Sequence, residues 1–141
     1  MGVLAAFSVP QFSKAMEQSR ANIAVANLRT IWTAQRAYAL QQIQTTGTNT
    51  YASDLDTLRN AKLIDQAIVD DTGGDPSPGI TYVYQINQTD STSFTATARR
   101  VNSTVWISTL AIDAQGNITG SVQYVGSSRS YSGYTISQFF Q

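Results

Sequence analysis

Residues 11–42 read "QFSKAMEQSRANIAVANLRTIWTAQRAYALQQ", and the fold turns on how this stretch is read. Neither Gly nor Pro interrupts it, and Ala, Gln, Arg and Leu dominate. These are strong helix formers. Ala24, Leu28, Ile31, Gln35 and Tyr38 recur at intervals of three and four, and Val25, Trp32 and Ala39 flank that stripe at intervals of seven. The spacing predicts an amphipathic helix with a broad apolar face in its second half. From Ser13 to Asn22 the same helix is mostly polar around its circumference. Thirty helical residues at 1.5 Å each run about 45 Å, too long to bury against a body of about a hundred residues. Residues 1–45 are therefore expected to form one helix in three parts. These are an apolar end (1–10), a protruding stem (11–22) and a half (23–45) that packs on the head through Leu28, Ile31, Trp32 and Tyr38. On this reading, removing residues up to 22 leaves a folded head.

Toward the C-terminus the pattern changes at "TTGTNTYASDLDTL", residues 45–58. Gly47 and its polar neighbours read as a loop. Ser53 is the expected N-cap of a short helix running from Asp54 to Ala61, with Asp54 and Asp56 in its first turn. Residues 70–79, "DDTGGDPSPG", read as a connection rich in Asp, Gly and Pro. Beyond it the apolar period becomes two. Ile80, Tyr82, Tyr84 and Ile86 share a face, as do Phe94, Ala96 and Ala98, then Trp106, Ser108, Leu110 and Ile112, then Ile118, Val122 and Tyr124. This is the alternation of half-buried antiparallel strands. "QTD" and "DAQGN" read as hairpin punctuation, and "YTISQFF" as a last strand. The expected fold class is α+β: a long N-terminal helix whose C-terminal half packs on a four- or five-stranded antiparallel sheet. Residues 46–141 form the globular head.

Composition narrows the chemistry. The 141 residues carry nine basic and nine acidic side chains, no histidine and no cysteine. Disulfides, thiolate or imidazole metal sites and His- or Cys-based catalysis are thereby excluded. A net charge of zero gives no electrostatic reason to expect nucleic acid as a partner. A serine nucleophile lacks a histidine base, and neither Lys14 nor Lys62 lies in a Ser-x-x-Lys arrangement. No glycine-rich phosphate loop follows a strand. The chain is therefore not expected to be an enzyme. Asp70, Asp71 and Asp75 offer hard oxygen ligands that suit calcium, though turn composition accounts for the same residues. No other metal or cofactor is expected. Residues 1–45 hold Lys14, Arg20, Arg29 and Arg36 against the single acid Glu17, so the remainder is net acidic. Such a division favours head-to-stem packing between copies, or marks only a solvated helix face. The sequons at Asn87, Asn102 and Asn117 arise easily in a chain rich in Ser and Thr. The aromatic tail, Tyr131, Tyr134, Phe139 and Phe140, reads as sheet packing or as an exposed patch.

The N-terminus raises a different question. Met1 to Val9 is uncharged and stops at Pro10. It is less than half of the about 20 apolar residues a membrane-spanning helix needs. It has neither a basic n-region nor a small-residue cleavage site. It is read either as the cap of a soluble helix or as the back end of a longer apolar segment.

"GVLAAFSVPQF", residues 2–12, followed by the Ala/Gln/Arg helix, resembles the N-terminal region of type IV pilins and type II secretion pseudopilins. In that family a cleaved leader precedes an apolar helix bearing a Gly, then Leu-Ala-Ala, then a Pro that opens the soluble half. Gly2, Leu4, Ala5, Ala6 and Pro10 match in order. Softer matches are "AQRAY" (34–38), "YASDLDTL" (51–58), a Tyr-x-Tyr strand leading to "FTATA", and "AIDAQGNITG" (111–120), which is similar to an Asp-x-x-Gly hairpin. The family's leader, processing site and acidic residue near the mature N-terminus do not occur in these residues. Its frequent C-terminal cysteine pair is also missing, which leaves the subfamily open.

The resemblance implies a type IV pilin-like fold and a structural subunit of a pilus or pseudopilus filament. Gly2, Val3, Leu4, Ala5, Ala6, Phe7, Val9 and Pro10 would form the filament-core helix, with Pro10 and Gly2 loosening it. The implied partners are further copies of the chain and the pilus or secretion assembly machinery of the inner membrane. The subunit would sit in that membrane before assembly, given the family's longer apolar helix, and in a periplasmic or extracellular filament afterwards. The alternative is a surface-tethered binding or adhesin module with a helical stalk and no polymerisation.

Overall fold

The computed structural model describes the backbone of residues 2–74, 76–125 and 134–135, and the side chains of residues 14–74, 76–88 and 90–125. The first element is a single helix, α1 (Gly2–Thr46), whose backbone is helical on both sides of Pro10. It ends where Gly47, at φ +77°, donates its N–H to Ile43 O at 2.9 Å. A glycine there closes the helix without the steric cost a side chain would add. A short helix α2 (Leu55–Asn60) follows, then strands β1 (Tyr82–Asp90), β2 (Ser93–Arg100), β3 (Trp106–Asp113), β4 (Ile118–Tyr124) and the two-residue β5 (Tyr134–Thr135). The strands form one antiparallel meander in the order β1-β2-β3-β4-β5. The class is α+β, with a long N-terminal helix laid across an antiparallel sheet.

The inner face carries the alternating residues. Tyr82, Tyr84, Ile86, Phe94, Ala96, Ala98, Trp106, Leu110, Ile112 and Val122 are buried there with Leu28 and Ile31 of α1. The middle of β2 offers only Ala96 and Ala98 to the helix, and α1 answers with Ala21 and Ala24; all four are fully buried. Small residues on both sides let the helix approach the sheet closely, while aromatic side chains on β1, β2 and β3 close the margins. Each fully buried Leu or Ile contributes about 1.5–3 kcal/mol.

Several local expectations are corrected. The packed part of α1 is not residues 23–45: Glu17 and Ala21 are already fully buried, and burial ends at Ala39, with Leu40 62% exposed. The stem looked polar all round because Glu17 counts as a solvated charge in a sequence pattern; here it has a buried partner on the sheet. Asp54, not Ser53, caps α2, because its carboxylate accepts from both Thr57 N and Thr57 Oγ1 at 2.7 Å. Ser53 only donates to Asp54 Oδ2 at 3.3 Å. The "QTD" segment is strand, and the turn lies beyond it at residues 91–92, held by Asp90 Oδ1 accepting from Thr92 N at 2.8 Å. At the far end of α2, Lys62 N (φ +61°) donates to Arg59 O and Leu63 N to Leu58 O. This is a Schellman ending with lysine in the position glycine usually takes.

Gly120 is placed by β-sheet contact. At φ +125°, a Cβ added there would sit 2.2 Å from Thr109 O, inside the β3–β4 ladder. The outer edge of β1 is covered by residues 69–71, through Tyr84 N to Val69 O and Asp71 N to Tyr84 O, both 2.8 Å.

Candidate functional site: the junction of helix and sheet

Four polar tethers fix α1 to the head, at Glu17, Gln35, Trp32 and Asn27, the last donating Nδ2 to the Tyr84 hydroxyl at 2.8 Å. The first is ionic. Arg100, at the end of β2, donates Nε to Glu17 Oε1 at 2.6 Å and Nη2 to Glu17 Oε2 at 3.3 Å. Both side chains are almost fully enclosed, at 5% and 0% exposure. Arg100 also donates Nη1 to the carbonyls of Thr81, at 3.3 Å, and Val101. Arg20, one turn on from Glu17 and partly exposed, donates to Glu17 Oε2 at 3.1 Å. Tyr82 pairs with Arg100 across β1 and β2, and its ring centroid lies 6.0 Å from the guanidinium carbon. Burial pushes the Tyr82 hydroxyl up to about 12, and the Glu17 carboxylate works in the same direction. The hydroxyls of Tyr82 and Ser108 are buried neighbours, yet neither reaches a partner at hydrogen-bond geometry. A charged and polar cluster thus lies inside the helix–sheet interface, where charges are retained only if paired.

The second tether is an amide. Gln35, fully buried, donates Nε2 to Ala52 O at 2.9 Å and accepts from Ala52 N at 2.8 Å through Oε1. The side chain satisfies both backbone groups of Ala52, as a neighbouring strand would. The third is aromatic. Trp32 donates Nε1 to Ala114 O at 3.0 Å, and its ring packs on Gly116 in the β3–β4 turn, where an added Cβ would come within 3.3 Å. The Arg36 guanidinium lies over the indole, 4.9 Å from its centroid. The turn itself is organised by Asp113, whose carboxylate accepts from Gln115 N, Asn117 N and Asn117 Nδ2. Those hydrogen bonds hold Asp113 below its ordinary value.

The expected packing residues sit as follows. Leu28 and Ile31 are fully buried, Trp32 is half-buried, and Tyr38 is half-buried against the core. Helical periodicity identified Gln35 as a stripe position but carried no sign of its clamp on Ala52. Glu17 and Arg100, 83 residues apart, shared no sequence signal. For Gly2, Val3, Leu4, Ala5, Ala6, Phe7, Val9 and Pro10 the backbone is helical, and their side chains lie outside the described residues, as do the side chains of the aromatic tail. No helix among the described residues is long and apolar enough to cross a membrane.

Two of the three calcium candidates, Asp70 and Asp71, are paired with arginines. Asp70 Oδ1 accepts from Arg59 Nη2 at 2.6 Å, and Asp71 takes Arg99 Nε and Nη2 on its two oxygens at 2.8 Å each. Arg99 holds Asp71 below the usual carboxylate range. Asp75 lies outside the described residues. Among the described residues no three metal-ligating side chains come together. Arg59 takes one oxygen of Asp70 and Arg99 takes both of Asp71, so the Asp70–Asp71 pair works as a charge-matched seal on the β1 edge. Comparison with protein-family models, curated proteins and solved structures gives no match.

Proposed function

We propose that this chain is the structural subunit of a type IV pilus or type II secretion pseudopilus filament, polymerising through residues 2–10 of α1. The observation that carries the reading is one uninterrupted helix joining the apolar stretch to the centre of the head's core. Residues 2–16 precede Glu17, the first fully buried side chain among the described residues, and measure about 22 Å along the helix. An apolar end held by other subunits is therefore coupled to the head through a rigid rod anchored at Glu17, Trp32 and Gln35. The α+β arrangement, a long helix on an antiparallel meander, is compatible with the pilin-like fold that the N-terminal residues suggest. Burial of the apolar segment between copies supplies the driving force, at about 25 cal/mol per Å². Repetition of one screw-related contact gives an open polymer. Its partners are further copies and the inner-membrane assembly machinery, and it works as a periplasmic or extracellular filament.

The test is electron microscopy of filaments from cells expressing the complete gene, with mass spectrometry of the main subunit. Ala6→Asp places a carboxylate in the proposed apolar core. It is expected to abolish filaments while the head, followed by its circular dichroism, stays folded. Normal filaments from Ala6→Asp would remove the mechanism.

A further inference from the structure

The Glu17–Arg100 pair is the first buried contact of α1 with the head among the described residues, and its two halves differ in kind. Arg100 is held independently of the helix, by the carbonyls of Thr81 and Val101 and beside the Tyr82 ring. Glu17 is carried on the helix and steered by Arg20 one turn away. Past Glu17 the next buried helix positions are Ala21 and Ala24, each with a single methyl group, then Val25; the first large side chain fully enclosed is Leu28. From Glu17 to Ala24 apolar burial is therefore slight, and the ion pair is the strong hold.

We propose that the Glu17–Arg100 pair is a mechanical stop. Bending or unwinding that begins in residues 2–16 ends at this pair, and opening the pair frees α1 from the head as far as Val25. A helix end frays readily, because each further residue lost gives up one hydrogen bond and regains its backbone freedom, at little net cost. Fraying that reaches Glu17 meets a different cost: it must part a two-pronged ion pair whose members are 5% and 0% exposed. Removing one partner of such a buried pair shifts an equilibrium by about 100-fold or more. The Tyr82 and Ser108 hydroxyls beside the pair are neutral and cannot replace the charge of the carboxylate. The stop divides the helix into a lever of residues 2–16 and a fixed rod of residues 17–39.

Hydrogen exchange read by mass spectrometry on the 141-residue chain tests it. In Glu17→Ala and Glu17→Gln, amides of residues 18–25 are expected to exchange about 100-fold faster, while amides of β2 and β3 change less than about tenfold. Arg100→Lys, which keeps the charge but loses the two-pronged geometry, is expected to fall between these and the unaltered chain. Leu28→Ala serves as the contrast and should raise exchange throughout the head. Equal acceleration in residues 18–25 and in β2 and β3 would make Glu17 an ordinary contributor to global stability and overturn the proposal. Unchanged exchange in residues 18–25 would do the same.

Discussion

Gln35→Leu tests the amide tether directly. The glutamine spans 17 residues of chain to Ala52, and both of its hydrogen bonds, at 2.8 and 2.9 Å, are buried. Leucine fills a similar volume but leaves one backbone N–H and one C=O without partners. Each such orphan costs about 1–3 kcal/mol, and leucine burial returns part of that, so a net loss of about 3 kcal/mol is expected. Against a domain stability of about 5–15 kcal/mol this is large. With a urea slope of about 1.5 kcal/mol per molar, the unfolding midpoint should fall by about 2 M, followed by far-ultraviolet circular dichroism. Gln35→Glu sharpens the test by adding pH. The carboxylic acid it introduces can, while protonated, donate to Ala52 O as the amide does, and the ionised form cannot. Burial raises the folded pKa of that acid above the unfolded value of about 4.3, so the variant is best relative to the parent below that pH. It loses stability as pH rises from there through the folded pKa, reaching its full deficit above it. A Gln35→Leu cost below about 0.5 kcal/mol, or a Gln35→Glu deficit that does not change with pH, would refute the tether's energetic role.

Truncation should show where the head begins. A chain starting at residue 16 keeps Glu17 and should unfold like the full protein, whereas one starting at residue 23 strands Arg100 and should lose about 3–5 kcal/mol in urea titration. Trp32→Ala removes a half-buried ring and its bond to Ala114 O, at an expected cost of about 2 kcal/mol by denaturant unfolding. Gly120→Ala should cost more than about 3 kcal/mol, because the new methyl meets Thr109 O inside the ladder; a stable variant with unchanged amide exchange in β3 and β4 would contradict that. Lys62→Gly should stabilise by about 1 kcal/mol, since glycine takes the left-handed conformation at the end of α2 without strain, and thermal melting reads the gain.

Periodicity alone determined the large features. Intervals of three and four from Ala24 to Tyr38 specify a helix with one buried face, and the alternations around Tyr82–Ile86, Phe94–Ala98 and Trp106–Ile112 specify strands. Both patterns repeat the geometry of the backbone, so they are written locally in the chain. What the tertiary structure decided is everything that pairs distant residues. Glu17 read as one more solvated charge on a polar stem until Arg100, 83 residues away, was brought beneath it. Asp70 and Asp71 read as free carboxylates in a turn until Arg59 and Arg99 claimed them. Gln35 fell on the apolar stripe, with nothing nearby to show that Ala52 needed its amide. A charge or an amide takes its role from whichever partner the fold places within about 3 Å, and one sequence carries no local trace of that partner.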